Sequence, residues 1–248
     1  MKITPGIEVV EPFPAIYLKK LGTLVIADLH LGYEGIMAER GVLLPKVQFR
    51  EEIKMLKGIL EEIDADTIVL NGDVKHEFSE TTYHEFKEVK DLFSFLTSQF
   101  SEVVVIKGNH DNYLGRLTTK YNITLHEELR MKKYLFFHGH KLPEDRDSEY
   151  LILGHEHPAL AFYDEIGAKE KVDCFLVGES IEGKKVIVLP AFSTLAQGSE
   201  INLIPSSHLL SPYLREKVII EDFRAIATSL ETGCLKFGKL GRLRGGII

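Results

Sequence analysis

The 248-residue sequence predicts an α/β fold, and three observations support this prediction. Short apolar runs bounded by glycine recur along the chain, and such runs are typical of buried strands. Segments with apolar residues at helical spacing separate these runs in the first half. In the second half the gaps between apolar runs shorten, which indicates antiparallel strands joined by short loops.

The first half is predicted to alternate strands with helices. Proline is favoured in the first turn of a helix, so Pro45 is expected to open one. Thr82 and Glu85 have the spacing of a capping box, which indicates the start of a second helix. The gaps between successive strands leave room for βαβ crossovers. The predicted elements are strands at 7–10 and 15–18, a strand ending at Asp28, a helix from Pro45, a strand ending at Asp73, a helix near Thr82 and a strand ending near Asn109.

The second half is predicted to be mainly β-structure. No repeat, low-complexity tract or clear linker interrupts the chain, so we expect a single domain over residues 1–248. Within it, residues 24–158 carry the motifs and 159–248 form a β-rich completion. Strands are expected at 159–163, 172–177 and 185–189, an irregular segment at 191–212, and a helix at 222–230.

Composition narrows the classes of function. The formal net charge of −7 provides no global basic field for nucleic acid, although bound cations would change the local sign. The two cysteines, Cys174 and Cys234, do not form a disulfide framework and fit a reducing cytoplasm. The N-terminal residues lack the apolar region of a signal peptide, and no apolar run is long enough to span a membrane. We therefore expect a cytoplasmic protein without a membrane segment.

Five successive apolar runs end in residues that commonly bind metals. Ligands of α/β proteins collect where parallel strands end, so these side chains are expected to converge. Carboxylate, amide and imidazole groups together make a site suited to a divalent cation. The five run ends are Asp28-Leu29-His30, Asn71-Gly72-Asp73, Asn109-His110-Asp111, His138 and His155-Glu156-His157.

The spacing of these residues suggests how they bind. In a strand, residues i and i+2 share a face, so Asp28 and His30 are predicted to point the same way. The same geometry applies to His155 and His157. Asp73 has two carboxylate oxygens and can bridge two ions, whereas an isolated Gly-Asp pair would indicate only a turn. Two-metal sites hold their ions about 3.5–4 Å apart and act on phosphorus by in-line displacement.

The most specific local signal is Gly108-Asn109-His110-Asp111. Gly108 is expected to allow a tight turn. Asn109 offers a carbonyl oxygen to a metal. His110 beside Asp111 forms a pair suited to a general acid and the group that orients it.

The order of these motifs resembles that of the calcineurin-like metallophosphoesterases, over Ala27 to His157. The segment from Asp28 to Gly32, with Gly41 and Leu44-Pro45, resembles a subgroup near the Mre11/SbcD nucleases that includes phosphoesterases associated with DNA ligase. The family resemblance implies a four-layer α/β/β/α sandwich of two mixed β-sheets and two divalent metals. Manganese is the first expectation, and iron, zinc, nickel or cobalt are alternatives. The implied ligands are Asp28, His30, Asp73 and His157 for one metal, and Asp73, Asn109, His138 and His155 for the other.

The same resemblance implies roles for the neighbouring residues. His110 would contact the phosphate and protonate the leaving group, and Asp111 would set its tautomer. Either His138 or His140 could bind the metal, since they are two residues apart, and His138 is preferred because it directly follows the apolar run. His140 and His76 are candidate substrate contacts, with a solvent-exposed His76 as the alternative. The remaining histidines match no motif and are expected to be surface or structural residues. Ordinary solvated charge is the expectation for Lys75, Arg116 and Lys141.

The leading hypothesis is a two-metal phosphoesterase in which a hydroxide bridging the metals attacks phosphorus. A phosphodiester, either a cyclic nucleotide or nucleic acid, is the preferred substrate class, and the oligomeric state is left open. A phosphomonoesterase, a phosphoprotein phosphatase or a catalytically silent binding module on the same fold are the alternatives. The roughly 90 residues after His157 look too few for the DNA-facing domain of the related nucleases. Other zinc hydrolases are disfavoured because the His-Glu-x-x-His spacing is missing.

Overall fold

The computed structural model describes residues 1–78, 83–145 and 147–245, and it confirms an α/β fold built on two mixed sheets. The helices are α1 (Tyr33–Glu39), α2 (Gln48–Glu62), α3 (Tyr83–Gln99), α4 (Gly115–Lys120) and α5 (Pro212–Glu216). The strands of the first half are β1 (Lys2–Thr4), β2 (Ile7–Val9), β3 (Ile16–Leu18), β4 (Thr23–Ile26), β5 (Thr67–Asn71), β6 (Glu102–Ile106) and β7 (Thr124–His126). The remaining strands are β8 (Glu128–Met131), β9 (Tyr134–Phe137), β10 (Tyr150–Leu153), β11 (Pro158–Tyr163), β12 (Lys169–Glu179), β13 (Lys185–Val188), β14 (Ser199–Glu200), β15 (Arg224–Ser229) and β16 (Gly233–Lys239).

The first sheet runs in sequence order from β1 to β7 within the described residues. Its first three pairings are antiparallel. From β4 to β7 all pairings are parallel, and the helices α1 to α4 make the connections. The predicted strand–helix alternation of the first half is therefore confirmed.

The second sheet has the order β14-β11-β12-β13-β10-β9-β8, and β15 and β16 continue it from β12. Strand β10 pairs with β9 and β13 in parallel. Strand β12 pairs with β11, β13 and β15 in antiparallel fashion. The predicted antiparallel strands at 159–163, 172–177 and 185–189 are thus present, as β11, β12 and β13.

Alternating side chains divide the core into layers. In β5, Ile68 and Leu70 pack with the apolar stripes of α2 and α3, while Val69 points between the two sheets. In β10, Ile152 also lies between the sheets, whereas Leu153 packs on the outer face with α5 and the segments beside it. This period-two alternation gives the order helices, sheet, sheet and an outer layer of short helical segments.

The sheets meet where the metal-type residues lie. The side-chain amide of Asn71, at the end of β5, donates to the carbonyl oxygen of Ile152 in β10 at 3.1 Å. The carbonyl oxygen of Asn71 lies 3.1 Å from Nδ1 of His138, directly after β9. Because the parallel strands of both sheets end at this edge, the residues that follow them are brought together.

The predicted helix at 222–230 is wrong, because residues 224–229 form strand β15 between β12 and β16. Ala225 and Ala227 are buried on one face of the sheet and Ile226 on the other. A strand buried on both faces shows no polar–apolar alternation, and its alanines resemble those of a helix. The segment at 191–212 is mainly irregular as predicted, with the short strand β14 and a 3-10 turn inside it.

The start of α2 also differs from the prediction, because the helix begins at Gln48 and not at Pro45. Glu34 of α1, an unpredicted helix, accepts hydrogen bonds on Oε1 from the backbone N–H groups of Val47 (2.6 Å) and Gln48 (2.8 Å). The helix therefore starts where an acceptor for its free N–H groups is available.

The proposed capping box before α3 includes Thr82, which lies outside the described residues. The carboxylate of Glu85 accepts from the backbone N–H groups of His76 (3.1 Å) and Glu77 (2.6 Å). This residue thereby connects α3 to the segment after β5. None of the helices within the described residues is long and apolar enough to cross a bilayer.

We expect Glu34→Ala to lower the free energy of unfolding by about 0.5–2 kcal/mol, because two N–H groups at the start of α2 lose their acceptor. Urea unfolding followed by circular dichroism measures the change. Glu34→Gln is the control, since its amide oxygen can still accept, and it should lose less stability. Equal losses in the two variants would contradict the capping role.

Candidate metal centre

Five of the predicted metal ligands have left-handed backbone conformations. The φ angles are 58° at Asp28, 49° at His30, 49° at Asp73, 66° at His155 and 45° at His157. Residues other than glycine seldom adopt positive φ, and such residues cluster at functional sites. The expected convergence within each Asp-x-His or His-x-His segment is present, but its predicted cause is wrong. These residues lie in turns after the strands, so the strand pleat does not align them.

Backbone hydrogen bonds hold these turns against one another. The N–H of Asp28 donates to the carbonyl oxygen of Gly72 (3.0 Å), and that of His30 to the carbonyl oxygen of Asp73 (2.9 Å). The N–H of His155 donates to Oδ2 of Asp28 at 3.0 Å. Three segments far apart in sequence are thereby fixed in one arrangement.

Three glycines make room for the ligands. A Cβ atom built on Gly72 would overlap the ring of His138, and one built on Gly108 would overlap the carboxylate of Asp73. A Cβ atom on Gly154 would lie 2.5 Å from Oδ2 of Asp28. Gly108 was predicted to permit a tight turn, but it is not among the residues with positive φ. Its absent side chain instead allows close approach of the backbone to Asp73.

The first group of candidate ligands contains Asp28, His30 and His157, whose ligand atoms all lie within 4.8 Å of one another. Nε2 of His157 is 3.3 Å from Oδ1 of Asp28 and 3.3 Å from Nε2 of His30. Oδ2 of Asp73 lies 3.8 Å from Nε2 of His30. The structure thus brings together the four residues expected for the first metal position.

The second group contains Asp73, His138 and His155, within the same 4.8 Å limit. Nε2 of His138 lies 3.2 Å from Oδ2 of Asp73 and 3.2 Å from Oδ1 of Asn109. The structure thus brings Asn109 to the second predicted metal position. Asp73 contacts members of both groups, as a bridging carboxylate must.

The donor set fits divalent cations. Among the described residues, Oδ1 of Asp28 is buried and no group donates a hydrogen bond to it, although His157 lies 3.3 Å away. Two imidazole nitrogens, of His30 and His157, also face each other at 3.3 Å. Buried polar atoms normally have partners, and a cation would provide one for all three residues. Mixed nitrogen and oxygen donors suit manganese, iron, zinc, nickel or cobalt.

The charges of the site are set by burial and by its two carboxylates. Burial, assisted by neighbouring His157, lowers the pKa of His30 to about 3, and burial with His138 lowers that of His155 to about 4. Burial would also lower the pKa of His138, but the carboxylates of Asp73 and Asp28 outweigh it and raise this pKa to about 9. Burial also opposes a charge on His157, but the carboxylate of Asp28 outweighs it and raises the pKa of His157 above its usual value. In the metal-free protein, positive charge on His138 and His157 therefore compensates the two acids.

The contacts of Asp111 differ from the prediction. Its Oδ1 accepts from the N–H groups of Val74 (2.8 Å) and Lys75 (3.3 Å), and its Oδ2 from that of Gly108 (2.9 Å). Among the described contacts of His110, Nδ1 faces the carbonyl oxygen of His76. This carbonyl can only accept, so it holds a proton on Nδ1 and takes the orienting role expected of Asp111. The buried carboxylate of Asp111 instead fixes the turn that carries His110.

His110 lies next to both groups of candidate ligands. Its backbone N–H donates to Oδ1 of Asp73 at 2.9 Å, and its Nε2 lies 3.8 Å from Oδ2 of that residue. Its ring meets that of His30 edge to face, with centroids 4.9 Å apart. His110, His30 and His76 form a further group of nitrogen atoms within 4.8 Å.

The two candidate substrate contacts border the site. Nδ1 of His76 lies 3.4 Å from Nδ1 of His30, and the ring is only partly exposed. The ring of His140 lies 5.3 Å from that of His138 and 6.1 Å from that of His155. His140 is thus beside the second group, and both histidines are placed where a substrate could reach them.

The interpretation of Lys75 as a solvated charge is wrong, because its side chain is fully buried and contacts the carbonyl oxygen of Glu77. The backbone of Lys75 pairs with that of Leu31 in an isolated parallel bridge beside the turn of Asp28 and His30. Lys75 therefore lies inside the protein and not on its surface. Arg116 and Lys141 are exposed, as expected.

Sequence reasoning missed Gln48, which supports the first turn. Its fully buried amide nitrogen lies 2.9 Å from the carbonyl oxygen of Leu29 and 3.2 Å from that of His30, as donor to both. Oε1 of Glu52 and Oγ of Ser193 lie 2.9 and 3.0 Å from the same nitrogen and share its two N–H groups with these carbonyls. No motif marks this glutamine, because its role depends on packing of α2 against the turn.

We expect metal loading at about pH 7.5 to release at least one proton per molecule, because His138 must become neutral to bind. His30 and His155 are already neutral at this pH and release none. Apparent metal affinity should therefore rise with pH until about 9, the pKa of His138.

Calorimetry of Mn²⁺ binding in buffers of different ionisation enthalpy measures the released protons. A heat of binding that is the same in every buffer would contradict the assignment of positive charge to His138 and His157.

Comparisons with known proteins give one family model and two solved structures that align with this chain. The family model described as calcineurin-like phosphoesterase matches residues 22–179. The crystal structure of the Pseudomonas putida nuclease MPE aligns with a TM-score of 0.62 at 20% sequence identity, covering 90% of this chain and 91% of that chain. A protein of unknown function, AQ665 from Aquifex aeolicus, aligns at 20% identity over 54% of this chain and 77% of its own, with a TM-score of 0.36.

The search among curated proteins gives no match. The likeness to the Pseudomonas putida protein supports the two-sheet metallophosphatase-type sandwich. Since the family model covers more than half of the sequence, and the candidate ligands converge as its motifs imply, the chain belongs to the calcineurin-like phosphoesterase family.

Proposed function

We propose that the protein is a phosphodiesterase that uses two divalent metal ions. The observation that carries this proposal is the position of Asp73, whose carboxylate contacts both groups of candidate ligands. The groups are Asp28, His30 and His157 on one side, and Asn109, His138 and His155 on the other. Manganese is our first choice of ion, with iron, zinc, nickel and cobalt as alternatives.

When bound, two divalent cations lower the pKa of a water molecule and neutralise charge that develops on a phosphate. The chain's own contribution begins with His110. The carbonyl oxygen of His76 keeps a proton on Nδ1, so Nε2 of His110 is the nitrogen that exchanges a proton with the substrate. We assign to the imidazolium form of His110, which carries a proton on both nitrogens, the donation of the Nε2 proton to the departing oxygen.

Two other groups keep His110 in place. Asp73 accepts from its backbone N–H, and Asp111 binds one backbone N–H of the same turn and two of the segment after β5. We therefore assign Asp111 a positioning role. His76 and His140 are proposed as substrate contacts, since each ring borders a ligand group and remains partly open to solvent.

A phosphodiester is the preferred substrate class, either a cyclic nucleotide or nucleic acid. The subgroup motifs between Asp28 and Pro45 support this choice, as does the similarity in fold to a protein named as a nuclease. The second candidate is a phosphomonoesterase or phosphoprotein phosphatase, and the third is a silent binding module. The full set of candidate ligands and His110 argue against the third. Cysteine usage supports a cytoplasmic location.

The substrate class is tested with bis-p-nitrophenyl phosphate, p-nitrophenyl phosphate and single-stranded DNA, each at saturating Mn²⁺. We expect the diesters to be hydrolysed and the monoester to be a poorer substrate, because the site is assigned to a diester. Chelation should abolish all activity, and added Mn²⁺ should restore it. A strong preference for the monoester would overturn the substrate class, and full activity after chelation would overturn the metal dependence.

We expect His110→Ala to lower kcat on a dinucleotide by about 10²–10⁴-fold, because the alkoxide leaving group then departs without a proton. The loss on bis-p-nitrophenyl phosphate should be smaller, since nitrophenolate leaves easily without protonation. His208→Ala, at an exposed position of a 3-10 turn, is the matched control and should keep full activity. Equal losses on both substrates would show that His110 is not the acid.

A further inference from the structure

An exposed aromatic side chain covers the candidate acid. The ring of Phe78 lies against that of His110, with centroids 3.6 Å apart and planes at 32°. At the same time Phe78 is 53% exposed. Scattered apolar residues on a surface need no explanation, but a phenylalanine that is open to solvent and in contact with an active-site imidazole suggests a binding role.

Phe78 is the outermost of a series of touching rings. His30, a candidate ligand, is 5% exposed and meets His110 edge to face. The side chain of His110 is 13% exposed, and Phe78 is more exposed still. The series therefore leads from the candidate metal centre to solvent, and Phe78 forms its rim.

The backbone holds this phenylalanine in place. The carbonyl oxygen of Phe78 accepts from Nδ2 of Asn112 at 3.2 Å, and its N–H donates to Oε1 of Glu77 at 3.0 Å. The carbonyl oxygen of His76 faces Nδ1 of His110. Two segments, 76–78 and 110–112, are thus connected at both ends, so the backbone that carries Phe78 is held beside the turn that carries His110.

We propose that Phe78 stacks on the nucleobase of the leaving group, which makes a nucleoside-bearing diester the substrate. This inference rests on the proposed function. A general acid must lie within hydrogen-bond distance of the oxygen that it protonates. The group attached to that oxygen is consequently next to Phe78. An aromatic face binds any base by stacking, and this binding does not depend on sequence.

The charge of the chain favours stacking over binding through the phosphate backbone. Proteins that bind nucleic acid through its phosphates use broad basic surfaces, whereas this chain has a formal net charge of −7. A base held by an aromatic ring gives affinity that depends little on salt. The substrate is therefore recognised at the nucleoside beside the scissile bond.

The alternative is that Phe78 only orients His110. The two roles differ in one respect, because orientation affects every substrate alike, whereas stacking depends on the presence of a base. Three dinucleotide substrates separate them: thymidylyl-thymidine, and the two analogues in which one base, on either side of the phosphate, is replaced by an abasic tetrahydrofuran residue.

With the full chain and Mn²⁺, we expect loss of the leaving-side base to lower kcat/KM by roughly 5- to 150-fold, the range given by one stacked base. Phe78→Ala should lower the rate on the intact dinucleotide to that on the abasic analogue, and Phe78→Trp should retain the preference. Ile166→Ala, 90% exposed in the turn between β11 and β12, is the control and should change nothing. Equal loss on all three substrates in Phe78→Ala would overturn the proposal.

A binding measurement keeps the test independent of turnover. A dinucleotide that carries 2-aminopurine should lose fluorescence on binding to the wild-type protein with Mn²⁺, and Phe78→Ala should abolish this quenching. If no diester is hydrolysed, the proposed function fails, while quenching that depends on Phe78 would still support base stacking. Absence of quenching, or quenching that persists in Phe78→Ala, would overturn the stacking role.

Discussion

The structure depends on the burial of two carboxylates side by side. Asp28 and Asp73 are 0% and 1% exposed, and each lies close to the other's partners. A buried charge is costly unless opposite charge and hydrogen bonds compensate it. His138 contacts both acids, at 3.6 and 3.2 Å, and their charge keeps its pKa high despite complete burial. Without metal, the proton on His138 supplies positive charge that a bound cation would otherwise supply. Proton and metal therefore compete for this site.

The residues that surround the two carboxylates have strained backbone conformations. Several candidate ligands have positive φ, each of which costs on the order of 1–3 kcal/mol. Parallel strands with fully buried cores, such as β5 and β10, provide the rigid edge from which these turns project. Gln48 adds support from α2 by binding two carbonyl groups of the first turn. Local strain at the ligands is therefore sustained by regular structure on either side.

Sequence patterns predicted the features that recur along the chain, and they missed the features that depend on packing between distant segments. The five strands with metal-type residues at their ends were predicted because burial and glycine mark them directly. The converging ligands followed from the rule that parallel strands end at one edge. Strand β15 was assigned as a helix because, with both faces buried, its alanines and isoleucine carry no period that distinguishes the two structures.

The partners of single side chains were not predictable in the same way. Asp111 follows His110 in sequence, and this adjacency suggested a contact between the two side chains. Its carboxylate instead turns toward three backbone N–H groups, two of which come from the segment after β5. Lys75 carries a charge that normally indicates a solvated side chain, yet tertiary contacts bury it. Such contacts arise between segments that are distant in sequence, so no local pattern records them.

The charge balance of the site also implies an order of events. The proposed substrate, a phosphodiester, is an anion, whereas the metal-free centre buries two carboxylates in a chain of net charge −7. Counting Asp28, Asp73 and the proton of His138, the metal-free centre carries −2 + 1 = −1. Two divalent ions would add 4 and displace that proton, so the sum would become −1 + 4 − 1 = +2, and the sign of the site would reverse. On the proposed function, we therefore expect metal to bind before substrate. The attraction of a metal-loaded centre for phosphate would be local, which leaves recognition of the rest of the substrate to uncharged contacts such as the exposed face of Phe78.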